Sequence, residues 1–296
     1  MIVVRFLRHL LPILSPTFVP PTTGKIMTKI LPELDLFLPF RQHAPSLANA
    51  RREIYADIAR FPGEDGAGFF NVLAFRGVFF GSPFAQSNRY RWFNTFADWK
   101  KFRAEGIEVA KKHSNKEEKY YVKRNCYGQT QIDRSTKLLS KYWDQRLLWN
   151  AEFDKPTKPT ITEVFKWLTK SILVNGKTTT LFRNIGRLTA LLICGDLIEA
   201  GVLPMPTAHE WGGLIYALRM GANDAMEMLS LTRKQRANKS DVSDAFVSLD
   251  LVIQQELTEE EKGAMNYNVI MLEHALCKIK RLTARGVSMN DILQDI

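Results

Sequence analysis

Residues 258–286 read TEEEKGAMNYNVIMLEHALCKIKRLTARG, and this stretch carries the clearest helix signals in the chain. Thr258 and Glu261 have the spacing of a capping box, in which each side chain satisfies a backbone amide of the first turn. The pattern predicts one long helix from 259 to 285, ended by Gly286. Its apolar stripe of about two heptads favours a core helix, with self-association through 258–285 as the alternative. The stripe comprises Met265, Val269, Leu272, Leu276 and Ile279.

Similar helix signals recur along the rest of the chain. Two further capping boxes, at 160–163 and 207–210, predict helix starts in the second half. We therefore expect a mainly α-helical globular protein. Glycine and proline interrupt an aromatic-rich stretch, which is also compatible with a small strand pair within 69–90. Helical spacing of apolar residues predicts additional helices over 46–61, 94–113, 133–150 and 179–200.

Charge and aromatic content divide the chain into two halves. The net charge of the 296 residues is +10, and residues 1–150 carry 24 Lys and Arg against 13 Asp and Glu. Residues 151–296 carry 17 against 18, and 24 of the 32 aromatic residues lie in the first half. The segment DKPTKPT at 154–160 has the composition of a linker. We therefore predict a basic, aromatic-rich helical part over 41–153 and a neutral helical part over 160–296.

The first 40 residues are interpreted as an extension or a targeting segment. No acidic residue precedes Glu33, and the initial apolar run is too short, and too interrupted by Arg5, Arg8 and Pro12, to span a membrane. The basic character makes a mitochondrial location the alternative to a cytoplasmic or nuclear one. Three widely spaced cysteines without a C-x-x-C pair suit a reducing, intracellular compartment.

No catalytic, cofactor or metal signature is found in the sequence. The GKT at 176–178 lacks the first glycine of a phosphate loop, because position 171 is Ser, and is expected to be a short turn between helices. The five histidines are scattered, without the spacing of a helical metal site. Asp196 and Glu199, with Arg183 and Arg187 before them, are expected to form a solvated or intrahelical ion-pair face.

Residues 89–146 are the most basic segment, with 15 Lys and Arg against 7 Asp and Glu. Phosphates attract such a surface through counterion release, and exposed aromatic rings give bases a face on which to stack. A solvated charged face over an aromatic core, or a surface for an acidic protein or anionic lipid, would give the same composition. The candidate nucleic-acid-binding residues are Arg89, Tyr90, Arg91, Trp92, Lys100, Lys101, Arg103, Lys111, Lys112, Lys116, Lys119, Lys123 and Arg124.

These observations favour a non-enzymatic nucleic-acid-binding protein, with RNA or a single strand as the preferred partner. The basic half would bind the phosphate backbone, while the neutral half would supply self-association, as in a nucleoprotein or packaging role. A helical interaction or scaffold protein without nucleic acid is the second hypothesis. An enzyme whose site is assembled from distant residues is the third.

Overall fold

A computed structural model of the chain describes residues 1–20, 24–57, 60–113, 116–153, 157–233 and 237–295. Helices dominate these ranges, which confirms the mainly α fold class. Short 3-10 turns cover Leu11–Leu14, Leu31–Glu33 and Arg41–His43, and a π-helical turn covers Phe75–Phe79. The α-helices are α1 Ile2–Leu10, α2 Lys25–Ile30, α3 Leu34–Phe37, α4 Pro45–Glu53, α5 Ala67–Ala74, α6 Pro83–Gln86, α7 Phe96–Glu105, α8 Ile107–His113, α9 Glu117–Tyr121, α10 Leu138–Asp144, α11 Leu148–Phe153, α12 Ile161–Leu168, α13 Arg187–Glu199, α14 Ala208–Leu218, α15 Ala222–Met228, α16 Lys239–Glu256, α17 Glu259–Met265, α18 Val269–Ala284 and α19 Met289–Asp295.

The contacts divide the chain into two compact units. Unit 1 comprises residues 1–44 and 206–296, and unit 2 comprises residues 45–205. This grouping differs from the division at 154–160 that composition indicates, since residues 160–205 belong with 45–153. Aromatic packing gives the reason: the Trp167 ring lies 5.9 Å from Trp149 and 5.4 Å from Phe69, between ring centroids. Residues 154–156 of the predicted linker lie outside the described residues.

The centre of unit 2 is a helix buried on all sides. Every residue from 67 to 80 is buried, through α5 and the π-helical turn that follows it. The possible strand pair within 69–90 is therefore wrong, because that stretch is helical where it has regular structure. Aromatic residues favour strands, but a run that is apolar all round also suits a fully buried helix.

The strand pair lies instead near the GKT sequence. Strands β1, Ser171–Val174, and β2, Lys177–Thr180, pair antiparallel with Ser171 opposite Thr180 and Val174 opposite Lys177. Asn175 and Gly176 between them have positive φ of 49° and 73°, as a two-residue hairpin turn requires. The expectation of a turn between helices is corrected, since α12 ends at Leu168 and β1 follows.

Several predicted helices are shorter than the apolar spacing indicates. The 94–113 helix is divided at Gly106 into α7 and α8, and α13 begins at Arg187 rather than near 179. The helix predicted from 259 to 285 is divided at Asn266, whose φ of 51° is left-handed and ends α17. Asn268 then caps α18 by accepting from two backbone amides. Apolar spacing continues across these breaks because both flanking helices face one core.

The apolar stripe of α17 and α18 lies in the core of unit 1. Met265, Leu272, Leu276 and Ile279 have no exposed surface, and Val269 is half-buried. In the same helix, α18, the buried Lys278 Nζ donates to the carbonyls of Asp35 and Leu36 at 3.0 and 2.9 Å. These bonds satisfy carbonyls at the end of α3, and they therefore attach the N-terminal helix α3 to the C-terminal helix α18.

The segment expected to be an extension or targeting segment is packed into unit 1. Val3, Phe6, Leu7 and Leu10 of α1 are almost completely buried. Arg8 Nε, at the exposed side of the same helix, donates to Glu261 at 2.7 Å. The helices of this segment are short and separated by prolines, but they pack against C-terminal helices: α1 against α16, α2 against α19 and α3 against α18. Within the described ranges, no helix has both the length and the apolar character that crossing a membrane requires.

A pH-dependent anchor attaches the N-terminal segment to α19. Lys25 Nζ donates to Asp291 Oδ1 at 2.5 Å, and Ser288 donates to the same carboxylate through its hydroxyl and amide. The Lys25 bond, followed by the Ser288 bonds, lowers the pKa of Asp291 to about 2, from an ordinary value of 3.8. Because the folded pKa lies below the unfolded one, this carboxylate stabilises the fold above pH 3.8 and loses its contribution as pH falls toward 2.

We expect Asp291→Asn to be less stable than the natural chain at pH 5 and to approach it at pH 2.5. The measurement is urea unfolding followed by far-ultraviolet circular dichroism at both pH values. A stability difference that stays constant between them would contradict the assignment to Asp291.

Candidate nucleic-acid interface

The candidate interface is built on α7, α8 and α9 of unit 2. Thr95 begins α7 with a capping box to Asp98, with bonds of 2.9 and 3.1 Å in the two directions. Trp99 and Phe102 then face the core, at 2% and 6% exposure. Since these two residues fix which face of α7 is buried, the lysines between and beside them are directed to solvent.

A groove of about 390 Å³ lies along one face of α7, opposite α9 and the start of α10. Its apolar side chains include Ile107, which is 37% accessible, and Phe96, which is half-buried. Three cations, Lys100, Arg103 and Lys137, stand among the apolar groups. The groove can therefore take a flat apolar group beside an anionic one. Its lining residues are Phe96, Trp99, Lys100, Arg103, Ala104, Ile107, Glu117, Thr136, Lys137 and Ser140.

Two carboxylates in this region hold the groove together. Glu117 accepts from Arg103 Nε at 2.6 Å, and this hydrogen bond raises the pKa of the guanidinium. Glu118 accepts from the amide and hydroxyl of Thr136, at 2.8 and 2.7 Å. The two carboxylates thus connect α9 to α7 and to the residue before Lys137.

Most of the predicted lysines are on the surface. Lys101 Nζ lies 4.0 Å from Glu105, and Lys111 Nζ lies 3.2 Å from Glu108, so these two cations have acidic neighbours on their own helices. Lys123 is half-buried. The exposed candidates are Arg91, Lys100, Lys101, Lys111, Lys112, Lys116, Lys119 and Arg124.

The RYRWF segment at 89–93 divides between core and surface. Tyr90 is 3% exposed, packed 5.2 Å from Phe84 between ring centroids, so its ring is not available for a base to stack on. This corrects the prediction for Tyr90, because its ring packs among the buried rings of Phe75, Phe79 and Phe84. Arg89, half-buried, and Arg91, exposed, both lie over the Phe102 ring. Trp92 is half-buried, with Arg60 4.2 Å from its ring centroid.

The two structural units differ in net charge, as the two sequence halves do. Unit 2 has 26 Lys and Arg against 16 Asp and Glu, a net of +10, whereas unit 1 has 15 of each sign. Unit 2 also holds 24 of the 32 aromatic residues. The whole net charge thus resides in the unit that contains the groove.

No family of known proteins, no curated protein sequence and no solved structure matches this chain.

Unit 2 also contains a buried ion pair that the sequence interpretation missed. Arg76 Nε and Nη2 donate to the two carboxylate oxygens of Asp196 at 2.5 and 2.6 Å, and the Tyr55 hydroxyl donates at 3.1 Å. Arg76 and Asp196 are each 1% exposed. Burial alone would lower the pKa of Arg76, but the attraction of Asp196 outweighs it and raises the pKa. The expected solvated face is therefore wrong for Asp196, and Arg183 instead lies 3.2 Å from Asp133.

The pair is 120 positions apart in sequence, so no local spacing could have indicated it. The sequence did contain a signal for the pair: Arg76 lies inside the apolar run AFRGVFF, and Asp196 lies inside LLICGDLIEA. Charged residues in such runs are rarely buried unless they are paired. Among the described residues, no three His, Cys, Asp or Glu side chains are grouped so that they could hold a metal ion.

Proposed function

We propose that unit 2 is a non-enzymatic nucleic-acid-binding module that uses the surface of α7–α9, with RNA or single-stranded DNA as its preferred partner. The observation that carries the proposal is the location of the whole net charge of +10 in the unit with the groove. A single strand presents both of the groups that this surface accommodates, a phosphate backbone and unstacked bases.

The groove supplies the base contact and the exposed helix faces supply the backbone contacts. A base would lie against Phe96 and Ile107, with its phosphate at Lys100 or Lys137. Base stacking on aromatic groups contributes about 1–3 kcal/mol per base. Lys112 and Lys119 would extend the phosphate track beyond the groove, through release of condensed counterions.

Binding of a fluorescein-labelled oligo(U) and oligo(dT) at 50 and 200 mM salt tests the proposal. We expect fluorescence anisotropy to show binding that weakens steeply with salt. The triple substitution Lys100→Glu, Lys112→Glu and Lys119→Glu should lower the affinity at least about tenfold and make the log–log salt dependence shallower by about two.

The matched control reverses three exposed cations of unit 1, Arg5→Glu, Arg219→Glu and Lys239→Glu, and so changes the net charge equally. This control should leave binding nearly unchanged. Equal losses in the two triple variants would mean that net charge alone attracts the strand. No binding of the natural chain at 50 mM salt would overturn the proposal and favour the scaffold hypothesis.

The proposal includes an intracellular setting, cytoplasmic or nuclear with mitochondria as the alternative, and a nucleoprotein or packaging-like role. Self-association through 258–285 belongs to the same role. Because the apolar stripe of that segment is buried in unit 1, a second copy would contact its exposed polar side chains, such as Glu259 and Glu260. Light scattering of the natural chain and of a Glu259→Lys, Glu260→Lys variant tests this contact.

A further inference from the structure

The β1–β2 hairpin of unit 2 is unusually exposed for regular structure. Leu173 and Val174 expose 74% and 47% of their surfaces. Only Ile172, Thr179 and Thr180 are half-buried, at the end of the ribbon away from its turn. An isolated two-stranded hairpin is marginally stable, so exposed apolar side chains on one favour a contact with another molecule.

The segment that contains the hairpin is rich in cations. Residues 157–187 contain six Lys and Arg and one acidic residue, Glu163, whose carboxylate accepts from the amide and hydroxyl of Thr160. Lys166, Lys170 and Lys177 are all exposed; Lys170 directly precedes β1, and Lys177 is the first residue of β2. The charge complementarity therefore favours a polyanion as the occupant of this ribbon.

The side chains of the hairpin distinguish it from the α7–α9 groove. SILVNGKTTT, at 171–180, contains no aromatic residue and offers no surface on which unstacked bases could stack. Leu173 lies opposite Thr178 across the strands, which places an apolar group and a hydroxyl on one face. The major groove of B-form DNA admits a two-stranded ribbon, and a thymine methyl or a base edge is a suitable partner for these groups.

We infer that the β1–β2 hairpin is a second nucleic-acid contact of unit 2, and that it binds the major groove of duplex DNA. The inference rests on the proposed function of the unit but concerns a different element and a different form of nucleic acid. Lys170 and Lys177 contact the phosphates on the two sides of the groove, while Leu173 and Thr178 face the bases. Duplex RNA is excluded by its deep, narrow major groove.

The test compares a 20-base-pair DNA duplex, the corresponding RNA duplex and oligo(dT) in the same anisotropy assay. Lys170→Gln with Lys177→Gln should make the salt dependence of duplex DNA binding shallower by about two and leave oligo(dT) binding unchanged. Leu173→Thr, which keeps a strand-forming residue, should weaken duplex DNA binding about three- to tenfold through the loss of apolar contact. The duplex RNA should bind more weakly than the duplex DNA.

Two controls lie in the same unit. Arg51→Gln with Lys141→Gln removes the same charge from exposed positions, and Leu147→Thr shortens another exposed leucine. Neither control should affect duplex binding selectively.

The inference is overturned if the hairpin variants bind duplex DNA as tightly as the natural chain does, or if they lose no more affinity than their controls. In that case, oligo(dT) binding would still support the proposed function. Equal binding of the RNA duplex would overturn major-groove insertion. Binding of the DNA duplex without oligo(dT) would support the hairpin and contradict the single-strand preference, and binding of neither would overturn both.

Discussion

Asp196→Asn should lower the free energy of unfolding by about 3–5 kcal/mol, the usual cost of removing one partner from a buried ion pair. The substitution keeps the size of the side chain but leaves the Arg76 guanidinium charged inside unit 2, at 1% exposure, without its counter-charge. It also weakens the acceptor of the Tyr55 hydroxyl. Urea unfolding followed by tryptophan fluorescence measures this effect, because five of the six tryptophans lie in unit 2.

The double substitution Arg76→Met with Asp196→Leu should recover most of that loss, since an apolar pair of similar volume removes the uncompensated charge. An exposed ion pair of the same unit provides the control. Arg183 and Asp133 lie 3.2 Å apart with side chains 52% and 64% exposed, so Asp133→Asn should cost less than about 1 kcal/mol. An Asp196→Asn variant no less stable than Asp133→Asn would contradict the importance given to burial.

Gly212→Ala should destabilise unit 1 by about 1–3 kcal/mol, as expected for overpacking a close helix contact. A Cβ at position 212 of α14 would lie 2.7 Å from the Cα of Ser243 in α16 and 3.4 Å from the Cβ of Phe246. Backbone atoms cannot yield as a side chain can, so the two helices would have to separate. This clash opposes the higher helix propensity of Ala, which stabilises a helix by roughly 1 kcal/mol relative to Gly.

Two glycines test this geometry with the same substitution. A Cβ at Gly213 meets the Cε of Lys239, an exposed and flexible side chain, and a Cβ at Gly263 of α17 has nothing within 4 Å. Gly213→Ala should therefore cost less than Gly212→Ala, and Gly263→Ala should be neutral or stabilising. Far-ultraviolet circular dichroism during urea unfolding measures all three. Similar losses at 212 and 213 would show that the contact with α16 is not as close as the backbone indicates.

Local interactions explain which helix boundaries were predictable. The capping boxes at Thr160, Thr207 and Thr258 are confirmed, with both reciprocal hydrogen bonds formed in each. These bonds join residues three positions apart, so the sequence contains all the information that they need. Asn175 and Gly176 were an equally local hairpin signal, which the interpretation of 176–178 as a short turn between helices did not use.

Local interactions did not predict whether a given aromatic or charged side chain lies in the core or on the surface. The composition of 89–146 indicates a basic, aromatic surface, but the fold places Tyr90 in the core and Lys100 at a groove. Both residue types occur in surfaces and cores of helical proteins. Only the packing of α7 against Phe84 and Tyr121 decides which rings are covered.

The sequence by itself determined the helical class, the principal helix starts and the excess of positive charge, because these depend on residues close together or on composition alone. Tertiary structure decided that residues 1–44 complete a unit with 206–296, and that residues 45–205 hold the whole net charge. It also paired Arg76 with Asp196. Such contacts join distant segments. Burial of apolar surface stabilises the two units, whereas the attraction between Arg76 and Asp196 offsets the cost of burying their charges, and no local pattern records either effect.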